Sequence, residues 1–269
     1  MTELRAVDAG SSPRTLIRTA YEYAALCSSL LLLAAICLCW SLCTLPLYAL
    51  LPRAPGRALG RYGIMAGFRL YAGWLQRIGA YKLDLRAIDT LRGGPALILA
   101  PNHPSLIDAL LILSRHPNLS CVMKSDLKAN ILLGPGARLA RYINNDSPLQ
   151  LVREAVADLR DGGVLLLFPE GTRTSRAPLN ALTRSIGVIA RRAGVEVQTL
   201  LIETDPPFLG KGCPLWSRPS LPITYRVRLG RRFAPPQDLE AFMLELERYY
   251  RSELQSGHTN PWDGSTTCR

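Results

Sequence analysis

The chain has 269 residues, 48% of them hydrophobic and 20% charged, with a formal net charge of +11. That length suits one large α/β domain with an attached membrane segment, or two small domains, and the composition supports a sizeable core. The positive balance calls for an anionic partner. No zinc-finger spacing, RNA-binding aromatic signature or lysine-rich tract accompanies it, so no nucleic acid is expected, and an anionic membrane surface or an acidic protein remains. Of the seven Cys, Cys27, Cys37, Cys39 and Cys43 share one apolar stretch, Cys121 falls in a strand-like run, and Cys213 and Cys268 stand alone. None has metal-ligand spacing with a His nearby, so no metal site is expected, and all seven read as reduced, buried hydrophobes.

Residues 1–23 form a polar lead. Ala24 to Leu51 then runs without a charged residue, which is long enough to cross a bilayer core as a helix. It is too long for a signal peptide and lacks a clean cleavage site. Pro46 and Pro52 place a kink or break near its far end, so it either spans or turns back as a monotopic helical hairpin. Arg53, Arg57, Arg61, Arg69 and Arg77 follow, interleaved with Tyr62, Phe68, Tyr71 and Trp74. That spacing fits a helix lying on anionic headgroups; an ordinary amphipathic helix packed on the next domain shows it too, and the two readings can both hold. Residues 24–78 are thus a membrane-embedded or interfacial segment, and its Arg excess favours a cytoplasmic domain beyond it, although Arg14 and Arg18 flank the other side.

From residue 79 to 255 the pattern is α/β. Continuous apolar runs at Ala96–Ala100, Leu119–Met123, Val164–Phe168 and Val195–Ile202 read as buried strands. Thr224 to Leu229 alternates, as in a half-exposed strand. Helices are expected over Ser105–Ser114, from Ser147-Pro148 to Gly162, over Ile186–Arg192 ahead of Gly194, and over Asp238–Leu254. Strands alternating with helices imply a mostly parallel sheet flanked by helices. Residues 256–269 read as a flexible polar tail.

Two strings follow strands and so reach the sheet edge where functional groups gather. In Asn102-His103-Pro104-Ser105-Leu106-Ile107-Asp108, a tight turn would bring the Asp108 carboxylate to one imidazole nitrogen of His103, leaving the other as a general base for a hydroxyl. A capping His and a solvated Asp would show the same spacing. In Phe168-Pro169-Glu170-Gly171-Thr172-Arg173-Thr174, Gly admits backbone N–H groups, while Thr and Arg supply a hydroxyl and a bidentate fork suited to phosphate. A structural turn with Glu170 and Arg173 paired is the alternative.

Together and in this order the strings resemble the blocks of the glycerolipid acyltransferases, the bacterial 1-acylglycerol-3-phosphate acyltransferase group in particular. Lys124 through Gly136 and Ile143 resembles the block between them, and the resemblance covers roughly residues 80–210. It implies that His103 deprotonates the acceptor hydroxyl with Asp108 orienting it. The alkoxide then attacks acyl-CoA or acyl carrier protein, and Glu170, Gly171, Thr172, Arg173 and Lys124 serve substrate binding. It implies a membrane lipid acceptor, no metal or redox cofactor, and a bacterial inner-membrane location facing the cytoplasm. Departures bear on the acceptor: Arg141 is displaced upstream, Arg184 replaces a Lys, and Val195–Thr199 lacks Pro. Leu201–Gly212 also resembles a branch associated with specialised lipids such as aryl polyenes, so a lyso-ornithine or polyene lipid stays open, as does a thioesterase-type hydrolase using the same pair.

Overall fold

The structure is a computed structural model that describes residues 12–256. Residues 1–11 of the polar lead and 257–269 of the expected tail lie outside the described residues.

The first helix, α1 (Pro13–Leu50), begins well before the apolar run. Ser12 accepts from the Thr15 N–H, Pro13 occupies the first turn, and Arg18 pairs with Glu22 one turn on, which together extend the helix into the polar lead. It passes Pro46 without ending. Leu51-Pro52 breaks it, and α2 (Arg53–Arg77) runs back antiparallel. The two helices thus form a hairpin. Its helices approach closely because Gly63 faces Trp40: a Cβ there would stand 2.1 Å from the indole. The Tyr21 hydroxyl closes the open end on the Ile78 carbonyl at 2.6 Å.

The α/β domain follows in the order β1 (Tyr81–Asp84), α3 (Arg86–Asp89), β2 (Leu97–Pro101), α4 (Asp108–Leu113), β3 (Leu119–Met123), α5 (Ser125–Ala129), α6 (Gly134–Leu139), β4 (Ile143–Asn144), α7 (Pro148–Arg160), β5 (Val164–Leu166), α8 (Ser185–Ala193), β6 (Glu196–Asp205), β7 (Ile223–Phe233) and α9 (Leu239–Ser256). The seven strands form one sheet in the order β1-β7-β6-β2-β5-β3-β4. Neighbours are parallel except β6 and β7, which run antiparallel. The mostly parallel sheet expected from the sequence is present, with β1 and β4 added. Both are short, and β1 alternates polar with apolar, so neither carries a hydrophobic run. The period of two sorts the core onto two faces. Leu97 and Leu99 of β2 join the cluster under the hairpin and α4, whereas Ile98 and Ala100 join the cluster under α7, α8 and α9.

Arg57 and Arg61 follow the packed-helix reading and dock α2 onto the domain. The Arg61 side chain is fully buried, with Nη2 2.6 Å from Asp158 Oδ1, Nη1 donating to Asn118 and Nε to the Ala140 carbonyl. Arg57 reaches the same carboxylate at 3.3 Å, and Ser120 donates to its other oxygen at 2.8 Å. Asp158 is buried on the inner face of α7 and needs these donors to remain charged. One expectation needs correction: not all the thiols are buried and reduced. Cys27, Cys39 and Cys43 are exposed on α1, and Cys213 is disulfide-bonded.

Replacing Arg61 with Met keeps the stem but strands the Asp158 charge, so the variant is expected to lose about 3 kcal/mol of unfolding free energy, as when one partner of a buried ion pair is removed. Chemical unfolding in detergent measures this, and the loss should shrink in an Asp158→Asn background.

Candidate functional site

Strands β5, β2 and β6 lie side by side and parallel, with Leu99 opposite Leu166 on one flank and Gln198 on the other. Their C-terminal ends therefore open on one edge. From β2 comes the His103 loop, from β5 the Glu170 loop, and from β6 the long 206–222 connection.

The structure brings His103 and Asp108 together. His103 Nδ1 stands 2.8 Å from Asp108 Oδ2. Asp108 opens α4 instead of lying inside a helix begun at Ser105, because its Oδ2 also takes the Ser105 N–H at 2.8 Å and holds the preceding residues as a turn. Its Oδ1 accepts from the Tyr225 hydroxyl at 2.7 Å. The carboxylate has no exposure, so these three donors replace water. Since Asp108 accepts from Nδ1, the imidazole carries its proton there and presents Nε2 as a free base. The ring stacks on Phe168, with centroids 3.8 Å apart.

Tyr225 escapes a motif search: it is one inward position of an alternating strand, Ile223, Tyr225, Val227. A buried phenol needs a partner for its tip, and the antiparallel turn into β7 places Tyr225 opposite Thr204, near the end of β6 and so at the site's edge. Burial, with the Asp108 carboxylate adding to it, raises the phenol well above its usual range and keeps it a donor. Asn102 heads the first motif string and has a structural task. Its side-chain amide exchanges two bonds with the Ile202 backbone, at 2.7 and 3.1 Å, and clamps the end of β2 to β6.

Glu170 sits where it cannot meet a ligand. It is buried, and its oxygens already accept from the His103 N–H at 3.1 Å, the Thr174 hydroxyl at 2.8 Å and the Asn180 N–H at 2.9 Å. Burial raises its carboxyl, with those bonds and His103 offsetting part of the shift. Rather than binding an acceptor, it ties the two motif loops together, helped by the Thr174 N–H on the His103 carbonyl at 2.8 Å. The expected partner Arg173 lies elsewhere: its Nη1 donates to the Leu209 and Gly210 carbonyls at 3.0 and 2.7 Å. Nε and Nη2 have no protein partner among the described residues.

Gly171, Thr172, Arg173, Lys124 and His103 line one cavity of about 790 Å³. Gly171 has φ +66°, a conformation open to glycine without strain. Beyond these residues the walls become apolar: Leu33, Ile36, Trp40 and Phe68 of the hairpin face Ile107, Leu110 and Met123 of the domain. The cavity is of ligand size and runs in the seam between hairpin and sheet. Arg184 lies outside it, exposed and paired with Glu240 at 3.4 Å, and Arg141 stacks over Tyr48.

Residues 82–203 match the model of a family described as Acyltransferase. The segment holds both motif loops and four whole strands, β2 to β5, with most of β1 and β6. The 1-acyl-sn-glycerol-3-phosphate acyltransferase of Pseudomonas aeruginosa is 28% identical over 174 residues, covering 62% of this chain and 66% of that protein. The crystal structure of the 1-acyl-sn-glycerophosphate (LPA) acyltransferase PlsC from Thermotoga maritima aligns over 90% of this chain and 95% of that one, with TM-score 0.66 and 20% identity, a likeness of fold. Over residues 82–203 the chain is thus similar to the acyltransferase family, and it has the fold of the Thermotoga maritima protein.

Tyr225→Phe keeps volume and removes one donor from a buried carboxylate, so it should cost about 1.5–3 kcal/mol of stability, as for hydrogen bonds to charged groups. Denaturant unfolding should show that cost largely vanish in an Asp108→Asn background, where the charge is gone.

Proposed function

We propose that the protein is an O-acyltransferase that moves a fatty acyl chain from acyl-CoA or acyl carrier protein to the hydroxyl of a 1-acylglycerol-3-phosphate-like lysophospholipid. The observation carrying this is a His103–Asp108 pair whose free nitrogen opens on an apolar cavity with an arginine at its polar end. His103 Nε2 takes the proton of the acceptor hydroxyl. The oxygen attacks the thioester carbonyl, and collapse of the tetrahedral intermediate expels the thiolate, which recovers the proton from the imidazolium. Asp108 holds the ring's tautomer and stabilises its charged form. The free Nε and Nη2 of Arg173, with Lys124 and Thr172, suit the acceptor phosphate, and the apolar seam suits the hydrocarbon. The step is acid–base chemistry between two substrates and calls for no metal or redox group.

The hairpin supports a one-sided membrane attachment. Helix α1 is long and apolar enough to cross a bilayer, yet it touches the domain from Arg18, on the Leu221 carbonyl, through Ser41, on the Leu132 carbonyl, to Tyr48 under Arg141. Those contacts extend over about 45 Å of helix, so the domain lies alongside it. The burial pattern is also unlike a soluble helix: Glu22, Ser29, Ser41 and Thr44 are buried beside Ala25, Leu26 and Cys37, while Leu31, Leu38, Leu42 and Leu45 face out. An outward apolar stripe beside a basic domain fits a helix lying in the interface of an anionic membrane. We place it on the cytoplasmic face of a bacterial inner membrane.

Purified protein offered labelled acyl-CoA or acyl carrier protein with lysophosphatidic acid is expected to form the diacyl product. His103→Ala should lose it by at least about a hundredfold, the usual worth of a general base. Undiminished transfer in the variant would overturn the mechanism. A preference for lyso-ornithine or polyene lipids would move the acceptor, and free fatty acid alone would make the protein a hydrolase.

A further inference from the structure

The connection between β6 and β7, residues 206–222, is pinned at both ends. Near its start the Phe208 carbonyl accepts from Ser105 Oγ at 2.7 Å, and the Leu209 and Gly210 carbonyls accept from Arg173. Towards its end Arg218 donates to Thr19 at 3.1 Å and pairs with the buried Glu22 at 3.4 Å, and the Leu221 N–H reaches the same carboxylate. Between these anchors the chain turns its largest apolar side chain outward: Trp216 is 67% exposed and its neighbour Leu215 is 42% exposed. A loop held this firmly has fixed that exposure in place, and exposed apolar patches on soluble surfaces are otherwise disfavoured.

We infer that this connection is a second membrane contact, in which Trp216 and Leu215 enter the headgroup–acyl boundary of an anionic bilayer beside the mouth of the cavity. The inference rests on the in-plane attachment of α1 proposed above. Continuity supports it: Leu16, Ile17 and Tyr23 are exposed on the part of α1 that the loop grips, and they lead into the apolar stripe further along the helix. Charge supports it too. Arg18 and Arg218 meet there on the Glu22 carboxylate, and Arg14 and Lys211 belong to the same two segments. Trp and Tyr with basic neighbours are the side chains that settle at a membrane–water boundary. The loop also borders the cavity, which Leu215 and Pro219 line beside Ala25 and Leu26. A lipid acceptor leaving the bilayer there would enter the cavity without passing through water.

The test compares full-length protein with Trp216→Phe, each bound to phosphatidylethanolamine–phosphatidylglycerol vesicles whose acyl chains are brominated near the headgroup end. The difference in emission between the two isolates Trp216 from the chain's three other tryptophans. That share should be quenched by brominated and not by plain vesicles; equal emission in both would overturn the inference. In parallel, Trp216→Asp should lower acyl transfer to vesicle-embedded lysophosphatidic acid by about tenfold and leave transfer to a monomeric short-chain acceptor within about twofold, since the change strikes anchoring alone. Equal losses on both acceptors would make the loop part of the reaction site and also overturn it. Absence of transfer by the unmodified protein would sink the enzymatic reading, and the quenching result alone would then decide the membrane contact.

Discussion

A carboxylate kept charged without water is the constraint from which the site's arrangement follows. Asp108 has no exposure, so its stability depends on donors delivered by the Ser105 turn, the His103 ring and the Tyr225 hydroxyl. The same device recurs. Glu22, Asp158 and Glu170 are also buried acids, and each gathers donors from segments distant in sequence. Glu22 joins α1 to the 206–222 connection, Asp158 joins α2 to α7 and β3, and Glu170 joins the two motif loops. An unpaired buried charge is expensive, so each of these acids specifies one docking geometry and penalises near alternatives.

The hairpin solves a different problem. The proposed chemistry is polar and the proposed acyl chains are not, and one cavity offers a place for each, with its polar end at the sheet edge and its apolar end in the seam. That seam lies where α2, drawn close to α1 at Gly63 and docked on the domain through Arg61, faces the domain's apolar side chains. The turned-out leucines of α1 and its turned-in Glu22, Ser29 and Thr44 depart from the pattern of a soluble helix.

Most of the sheet was legible because buried parallel strands are continuous apolar runs: β3 matches its expected span, and β2, β5 and β6 fall within a few residues of theirs. Tyr81–Asp84 carries no such run and owes its strand to pairing with β7, a tertiary cause. The His103–Asp108 pairing was legible from spacing. The task of Glu170 was not, because the motif states which residue is present and not which way it faces. Arg57 and Arg61 show the same limit: Arg at helical intervals is compatible with headgroups and with a buried acid, and only the position of Asp158, a hundred residues on, separates the two. The segment boundary at residue 24 followed hydropathy, whereas the helix obeyed the Ser12 cap and the Arg18–Glu22 pair.

The reversal of β7 has a consequence for what counts as a working unit. The segment that aligns with the family ends at residue 203, one residue short of the partner position that Tyr225 occupies on the next strand. A fragment trimmed to that segment would keep both sequence signatures and lose the phenol, the far wall of the cavity and the strand covering the edge of β6. Kinship can be recognised from a shorter piece of this chain than the piece needed to keep its buried acid charged.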